Sequence, residues 1–90
     1  MKLWKLTAEV TCRSCPFQLQ GTVEGYDAPE RPWYYRECHT RWSLSTGQPG
    51  EDVEGAVMGH IVASGRCQDH DDLTVAMFRI VSEFRWILTA

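Results

Sequence analysis

Apolar and polar side chains alternate between residues 4 and 24, and this alternation constrains the fold more than any other feature of the sequence. It occurs in two segments separated by residues 13–16. The apolar positions are Trp4, Leu6, Ala8, Val10 and Cys12 in the first segment and Phe17, Leu19, Gly21 and Val23 in the second. A period of two is typical of a strand with one buried face. Two such segments with a short connection predict an antiparallel hairpin.

The middle of the chain predicts a second hairpin. Residues 33–46 are rich in aromatic and β-branched side chains, but the segment is long for one strand, whose usual length is about five or six residues. We predict strands over Trp33–Glu37 and Arg41–Thr46, joined by a tight turn at residues 38–40. A single bent strand is the alternative, because no glycine or asparagine marks the turn.

Residues 53–64 fit two interpretations. The apolar residues near the start of this segment have the spacing of a helical stripe, but Gly55 and Gly59 would each cost about 1 kcal/mol inside a helix. The apolar run that begins at Val57 is typical of a strand that ends at Gly65. We therefore predict a strand over the whole segment, with a helix as the alternative.

The C-terminal segment predicts an amphipathic helix over about residues 72–88, because its apolar side chains recur at intervals of three and four residues. They are Leu73, Ala76, Met77, Ile80, Val81, Phe84 and Ile87. Phe78 and Trp86 fall outside this stripe and predict a second apolar face. We therefore expect one α+β domain over residues 1–90, in which an antiparallel sheet of four or five strands, formed from two hairpins, packs against one C-terminal helix.

Size and charge exclude several classes of protein. A chain of 90 residues buries only about 60–65% of the surface that its unfolded form exposes, which is too little for a two-domain or barrel enzyme. The net charge is −3, with +1 in residues 1–50 and −4 in residues 51–90, so the chain is poorly suited to general phosphate-backbone binding. The sequence contains no apolar run typical of an export signal or a membrane span, and we expect a cytoplasmic protein.

Four residues have the types and the spacing of a structural zinc site. Cys12 and Cys15 form a C-x-x-C pair, and Cys67 and His70 repeat that spacing just before the helix. Each pair can aim two ligands at one ion, and three thiolates with one imidazole complete a tetrahedron. We predict structural zinc at these four residues. The alternative is that Cys12 is an ordinary core residue and that the other three are incidental.

Residues 33–42 concentrate aromatic and basic side chains and predict a binding surface. The candidate partner-binding residues are Trp33, Tyr35, Arg36, His39, Arg41 and Trp42. Exposed tryptophan, tyrosine and arginine are common at protein-binding hot spots, and they also stack on the bases of single strands. The low positive charge of this half favours a protein partner over nucleic acid. The alternative is that Tyr34, Trp42 and Leu44 belong to the core and that the other residues are ordinary sheet surface.

Catalysis has little support in the sequence. The run Asp69-His70-Asp71-Asp72 is compatible with a hydrolytic metal site, to which His39 and Arg41 would add a second half. Acids before a helix, however, commonly act as N-caps and as partners of the helix dipole. No glycine-rich phosphate loop, nucleophile elbow or His-Glu-x-x-His motif occurs. We therefore expect that the protein is not an enzyme.

Two short patterns occur in the first half of the chain. They are Cys15-Pro16-Phe17-Gln18-x-x-Gly21 and Trp33-Tyr34-Tyr35-Arg36-x-x-His39-x-x-Trp42-Ser43-Leu44. Together they resemble a group of small proteins from actinobacteria and their phages. The resemblance implies a genomic setting and implies no activity. It does not extend to Cys12, Cys67 or His70, so the zinc prediction depends on spacing alone.

These observations predict a small non-enzymatic protein-interaction module that is stabilised by zinc and binds through the aromatic and basic hairpin. In the phage setting, such a module would bind and inhibit a bacterial enzyme or a defence complex. Two alternatives from other classes stay open: a single-stranded nucleic-acid-binding protein and a small metal-dependent hydrolase.

Overall fold

The computed structural model describes residues 5–12, 17–25, 28–67 and 73–89, with side chains described as far as residue 85. In chain order the elements are β1 (Lys5–Leu6), β2 (Glu9–Cys12), β3 (Phe17–Glu24), β4 (Arg31–Cys38), β5 (Arg41–Thr46), α1 (Val53–Val57), β6 (His60–Arg66) and α2 (Leu73–Thr89). Within the described residues, neither helix is long and apolar enough to cross a membrane.

The strands form one antiparallel sheet. Its order is β1-β3-β4-β5-β6, and β2 pairs with β3, as β1 does. β3, β4 and β5 each pair with the next strand in the chain, so the sheet is a meander with β4 at its centre. The predicted α+β fold, with an antiparallel sheet and a C-terminal helix, is confirmed. Both predicted hairpins are present as the antiparallel pairs β2–β3 and β4–β5.

Side chains on β4 alternate between the two faces of the sheet. Trp33, Tyr35 and Glu37 are buried beneath α2, whereas Tyr34 and Arg36 lie on the opposite face, called the outer face below. The hydrophobic core lies between the sheet and α2, and it contains Leu19, Val23, Trp33, Tyr35, Leu44, Ala76, Ile80 and Phe84. The rings of Trp33 and Phe84 are 6.1 Å apart between centroids. The predicted stripe of α2 is therefore the face that packs on the sheet.

A buried polar network ties α2 to β4. The Tyr35 hydroxyl donates to Glu37 Oε2 at 2.6 Å, and Arg79 Nη1 donates to the Tyr35 hydroxyl at 3.0 Å. The same guanidinium nitrogen lies 3.5 Å from Glu37 Oε2. Because a buried carboxylate is costly without a partner, Arg79 fixes the position of α2 along β4.

The predicted strand over residues 53–64 is wrong in its first half. The chain forms the short helix α1, with the Asp52 side chain accepting from the Gly55 amide at 3.3 Å, and then turns at Gly59 into β6. A side chain at Gly59 would collide with the carbonyl oxygen of Thr46, so the turn needs glycine. Ser45 Oγ donates to the Ala56 carbonyl at 2.7 Å, which secures α1 against the end of β5.

Two strand boundaries also differ from the sequence prediction. The first predicted strand divides at Thr7 and Ala8 into β1 and β2, and the Thr7 carbonyl packs against Gly21, where no side chain would fit. At the other edge, Gly65 does not end its strand, because β6 continues to Arg66. Gly65 instead faces Trp42, and a Cβ at this position would lie 2.9 Å from the indole Nε1 atom.

Removing the charge of Glu37 should destabilise the fold. We expect Glu37→Gln to lower the free energy of unfolding by about 2 kcal/mol, because the Arg79 guanidinium beneath α2 loses its charged acceptor. The exposed Glu30→Gln is the matched control and should change stability by less than about 0.5 kcal/mol. Urea unfolding followed by circular dichroism measures both. Equal effects of the two substitutions would contradict the structural role of Glu37.

Stability should fall at alkaline pH through Tyr35. Burial raises the pKa of the Tyr35 phenol well above its ordinary value, and the hydrogen bond to Glu37 raises it further. The unfolded chain loses this proton near pH 10 while the folded protein keeps it, so the free energy of unfolding decreases as pH rises above about 10. Unfolding titrations across this range should show that the free energy of unfolding decreases less with pH in Tyr35→Phe than in Tyr34→Phe. Equal decreases in the two variants would contradict the role of Tyr35.

Candidate functional site

The β4–β5 hairpin closes with a two-residue turn at His39 and Thr40, both of which have positive φ angles of 55° and 61°. This is the geometry in which Asn-Gly is favoured, because the left-handed region costs about 1–2 kcal/mol for other residues. The Thr40 hydroxyl donates to the His39 carbonyl at 2.6 Å. The second predicted hairpin is therefore confirmed, although its turn has none of the usual residues. Positive φ at a β-branched threonine marks local strain.

Three arginines on neighbouring strands meet beside this turn on the outer face. Arg41 on β5 is directly opposite Arg66 on β6. Arg36 on β4 pairs with Ser43, which is two residues along β5 from Arg41. Paired residues share a face, with Cβ atoms about 5 Å apart directly and about 7–8 Å apart diagonally. The three guanidinium groups therefore project from one small area of the sheet.

A cleft of about 490 Å³ contains this cluster and is called the arginine cleft below. It is lined by Arg36, Cys38, His39, Arg41, Trp42, Ser43, Ser64, Gly65 and Arg66. The arginines and His39 are exposed, whereas Trp42 is half-buried. The two serines lie between the arginines and add hydroxyl donors. The cleft is thus suited to a ligand that carries several negatively charged oxygen atoms.

The charge of the cleft is not balanced within the described part of the chain. None of Arg36, Arg41 and Arg66 forms an ion pair with a described carboxylate. Several described acidic residues lie instead toward the opposite end of the sheet, where β3 and β5 end and β4 and β6 begin. They are Glu24, Glu30, Glu51, Asp52 and Glu54. The described residues therefore form a dipolar sheet with its positive end at the cleft.

Trp42 connects the cleft to the core. Its ring stacks on Tyr35, with centroids 5.9 Å apart and an interplanar angle of 26°. The guanidinium carbon of Arg79 lies 5.3 Å from the Trp42 ring centroid, which is within the range of a cation–π contact. The indole is held by these two contacts and by its close approach to Gly65. The ring of Trp42 therefore lies on the core face of the sheet, opposite the three arginines, because Trp42 pairs with buried Glu37.

The six predicted partner-binding residues divide into two groups. Arg36, His39, Arg41 and Trp42 all line the arginine cleft. Trp33 and Tyr35, by contrast, have 0% exposure and belong to the hydrophobic core. This burial corrects the prediction for these two residues, because side chains beneath α2 offer no surface to a partner. The alternative interpretation is also wrong for them, because it assigned only Tyr34, Trp42 and Leu44 to the core. Of these three, Leu44 is buried, and Tyr34 and Trp42 are half-buried.

The sequence did not point to Arg66 or Ser64. Both lie on β6, whose register beside β5 brings them next to Arg41 and Ser43. The interval of 25 residues between Arg41 and Arg66 carries no local signal for this contact. A correct assignment of β6 as a neighbour of β5 would have been needed to find it.

Of the four predicted zinc ligands, the two within the described residues, Cys12 and Cys67, lie far apart. Cys12 lies on β2 and Cys67 directly follows β6, so β3, β4 and β5 separate them, roughly 19 Å along the sheet. Thiolates on one zinc ion would be within about 4.6 Å of each other. Among the described residues, no group of three or more His, Cys, Asp or Glu side chains is placed to hold a metal ion. Cys15 and His70 lie outside the described residues, and the zinc site stays a prediction.

Two further predictions fall partly outside the described residues. The run Asp69–Asp72, on which the hydrolase alternative depends, is not described, so that alternative stays a prediction. On α2, Phe78 is 73% exposed and does fall outside the packed stripe, whereas the side chain of Trp86 is not described. Leu73, which was assigned to the packed stripe, is 42% exposed at the start of the helix.

Another cavity, of about 450 Å³, lies at the opposite end of the sheet. It contains Arg31 and Glu51, which carry opposite charges, above an apolar floor that includes Val62 and Phe84. The arginine cleft differs from it in concentrating charge of one sign.

Comparison of the chain with protein-family models, with curated proteins and with solved structures finds no match. The chemistry of the cleft is therefore the basis for the function proposed below.

Relieving the strained turn should stabilise the protein. We expect Thr40→Gly to raise the free energy of unfolding by about 1 kcal/mol, because glycine adopts the left-handed conformation without a Cβ clash. Thr46→Gly on β5, at a position without positive φ, is the matched control and should lower stability. Thermal unfolding of the two variants distinguishes these results. A loss of stability in Thr40→Gly would show that the turn is not strained.

Proposed function

We propose that this chain is a non-enzymatic binding module whose arginine cleft captures an acidic segment of a partner protein. The observation that carries the proposal is the direct opposition of Arg41 and Arg66, with Arg36 beside them in the same cleft. Like charges directly opposite on paired strands destabilise a sheet. An arrangement that costs stability and forms a concave, charged surface is typical of a binding site.

The shape of the cleft favours an extended acidic segment. Three arginines provide planar guanidinium groups that form paired hydrogen bonds with carboxylates. They are distributed over three strands, which matches several carboxylates along a segment better than a single one. The acidic loops at the other end of the sheet repel such a segment and orient its approach.

Single-stranded nucleic acid fits the same cleft less well. Binding of that kind depends on aromatic rings on which bases can stack. Trp42 is the aromatic residue that lines the cleft, and its ring is already engaged by Tyr35 and Arg79. Trp33 and Tyr35, which were candidates for stacking, are buried. An acidic polypeptide needs only the guanidinium groups, and it is therefore the favoured ligand.

The cleft arginines should control binding of acidic peptides. We expect the protein to bind oligoglutamate of about ten residues with an affinity that decreases as salt increases. The triple variant Arg36→Gln, Arg41→Gln and Arg66→Gln should weaken this binding about tenfold or more. Lys5→Gln, at the other edge of the sheet, removes one positive charge outside the cleft and should leave the affinity unchanged. Fluorescence anisotropy with labelled peptide measures these affinities.

Three results would overturn the proposal. The first is binding that survives in the triple arginine variant, and the second is the absence of binding at low salt. The third is tighter, arginine-dependent binding of oligothymidylate than of oligoglutamate, which would favour nucleic acid. A further variant, with asparagine at Asp69, Asp71 and Asp72, tests whether acids of the same chain fill the cleft. If arginine-dependent binding appears only in that variant, the cleft is an internal ion-pair site.

A binding role also predicts opposite effects of one substitution on stability and affinity. We expect Arg66→Gln to raise the free energy of unfolding by about 0.2–1 kcal/mol, because the repulsion with Arg41 is removed. The same variant should bind oligoglutamate more weakly than the parent protein. Thermal unfolding without peptide, compared with the titration, tests both effects. A loss of stability in Arg66→Gln would show that the residue stabilises the fold instead.

Inhibition of a bacterial enzyme or a defence complex is a separate part of the proposal. It rests on the resemblance to small actinobacterial and phage proteins. The chemistry of the cleft specifies only that the bound segment of such a target is acidic. A module of this size would inhibit by occupying a surface that the target needs for another partner.

A further inference from the structure

We infer that the acidic segment binds as an added strand along the outer edge of β6, with its carboxylates in the arginine cleft. This inference rests on the proposed function and extends it to the conformation and direction of the partner. Three observations support it. No described strand pairs with the outer edge of β6, charged and apolar side chains lie toward opposite ends of that strand, and a second copy of this chain would bring no carboxylate to the cleft.

The edge at β6 has the features of a pairing surface. β6 is the last strand of the sheet, and no described strand pairs with its outer side. Its seven residues span about 24 Å and contain no proline and no lysine. Proteins usually protect exposed edges with short strands, prolines, lysines, bulges or charges that face inward. On β6 the register shifts opposite Leu44 and Ser45, and beyond that shift residues 63–66 form a regular stretch that offers its backbone groups to an incoming strand.

The opposite edge of the sheet is different. It consists of β1 and β2, which have two and four residues and are interrupted at Thr7 and Ala8. Lys5 and Glu9 place charges of both signs on it. A short, interrupted and charged edge is protected against pairing. The two edges therefore differ, and β6 is the one that favours strand addition.

The side chains of β6 define the chemistry of the added strand. Ser64 and Arg66 lie on the outer face in the cleft, whereas Ile61, at the other end of β6, is 59% exposed. Met58, just before β6, is 85% exposed. A complementary segment is therefore acidic where it passes Arg66 and apolar where it passes Ile61.

The direction of the added strand follows from the sheet. All of the described pairs are antiparallel, and antiparallel pairing is slightly more stable per residue. A strand antiparallel to β6 passes Arg66 first and Ile61 later. We therefore expect acidic residues at alternate positions in the N-terminal half of the segment and apolar residues in its C-terminal half.

A second copy of this chain is a poorer occupant of the same edge. Antiparallel pairing of two β6 strands about Ala63 would place Arg66 opposite His60 of the second copy. That pairing supplies no carboxylate to any of the cleft arginines. It would also bring two arginine clefts to one interface, which adds like-charge repulsion. Charge complementarity thus favours a different, acidic chain.

Backbone methylation of a peptide tests strand addition directly. The probe is Glu-Thr-Glu-Thr-Val-Thr-Val-Thr, titrated against the intact protein by fluorescence anisotropy. Successive amides of a strand point to opposite sides, so only one alternate set of peptide N–H groups faces β6. We expect N-methylation of that set to weaken binding about tenfold or more, and methylation of the other set to change it less than about twofold. The sequence-reversed peptide should bind more weakly than the probe.

A measurement on the protein provides an independent readout. Hydrogen exchange followed by NMR should show that the probe slows exchange at alternate amides of β6, and that amides of β2 are unchanged. Two controls test the role of charge. The first is the triple arginine variant titrated with the probe, and the second is the parent protein titrated with a peptide that has lysine at both glutamate positions. Neither combination should bind.

The outcomes separate this inference from the proposed function. If binding depends on the arginines but the two N-methylated peptides bind with equal affinity, strand addition is wrong and the proposed function still holds. Unchanged exchange along β6 in the presence of bound probe would do the same. A dimer by light scattering that the probe does not dissociate would show that a second copy occupies the edge. Absence of arginine-dependent binding to any acidic peptide would overturn both.

Discussion

The register of the β4–β5 hairpin is the constraint on which the rest of the structure depends. Because the two strands are joined by only His39 and Thr40, Tyr35 pairs with Leu44 and Arg36 pairs with Ser43. A shift by one residue would move the entire buried set to the outer face. The same register therefore places core side chains beneath α2 and arginines on the opposite face. The outer-face positions of Arg36 and Arg41 are thus fixed by the same register as the core.

Trp42 anchors β5 to the core between two residues of the cleft. Its ring stacks on buried Tyr35 and receives the Arg79 guanidinium from α2, while its neighbours in the chain, Arg41 and Ser43, line the cleft on the other face. The polar network of Tyr35, Glu37 and Arg79 holds this arrangement in place, since each of the three has a partner in the other two. Because Trp42 is anchored in this way, the backbone of Arg41 and Ser43 on either side of it is held in place before a ligand arrives, which lowers the entropic cost of binding.

Several parts of the fold could be predicted because their signals are local. The alternation before Glu24 and the three-and-four spacing from Leu73 each report one buried face, and both elements formed as expected. Residues 53–64 could not be assigned, because Gly55 lowers helix propensity while the Asp52 cap and the packing against β5 offset that cost. The turn at residues 39–40 lacked its usual sequence signal, because tertiary pairing imposed positive φ on residues that disfavour it.

The sequence by itself determined the two hairpins and α2, the buried faces of the first hairpin and of α2, and that residues 33–42 carry a concentration of basic and aromatic side chains. Only the tertiary structure decided which of these residues reach the surface. Alternation assigned Trp33 and Tyr35 to one face, but the packing of α2 made that face the core. The position of Arg41 directly opposite Arg66 likewise depends on the pairing of β5 with β6. Pairing between strands is a long-range contact, and no local pattern in the chain encodes it.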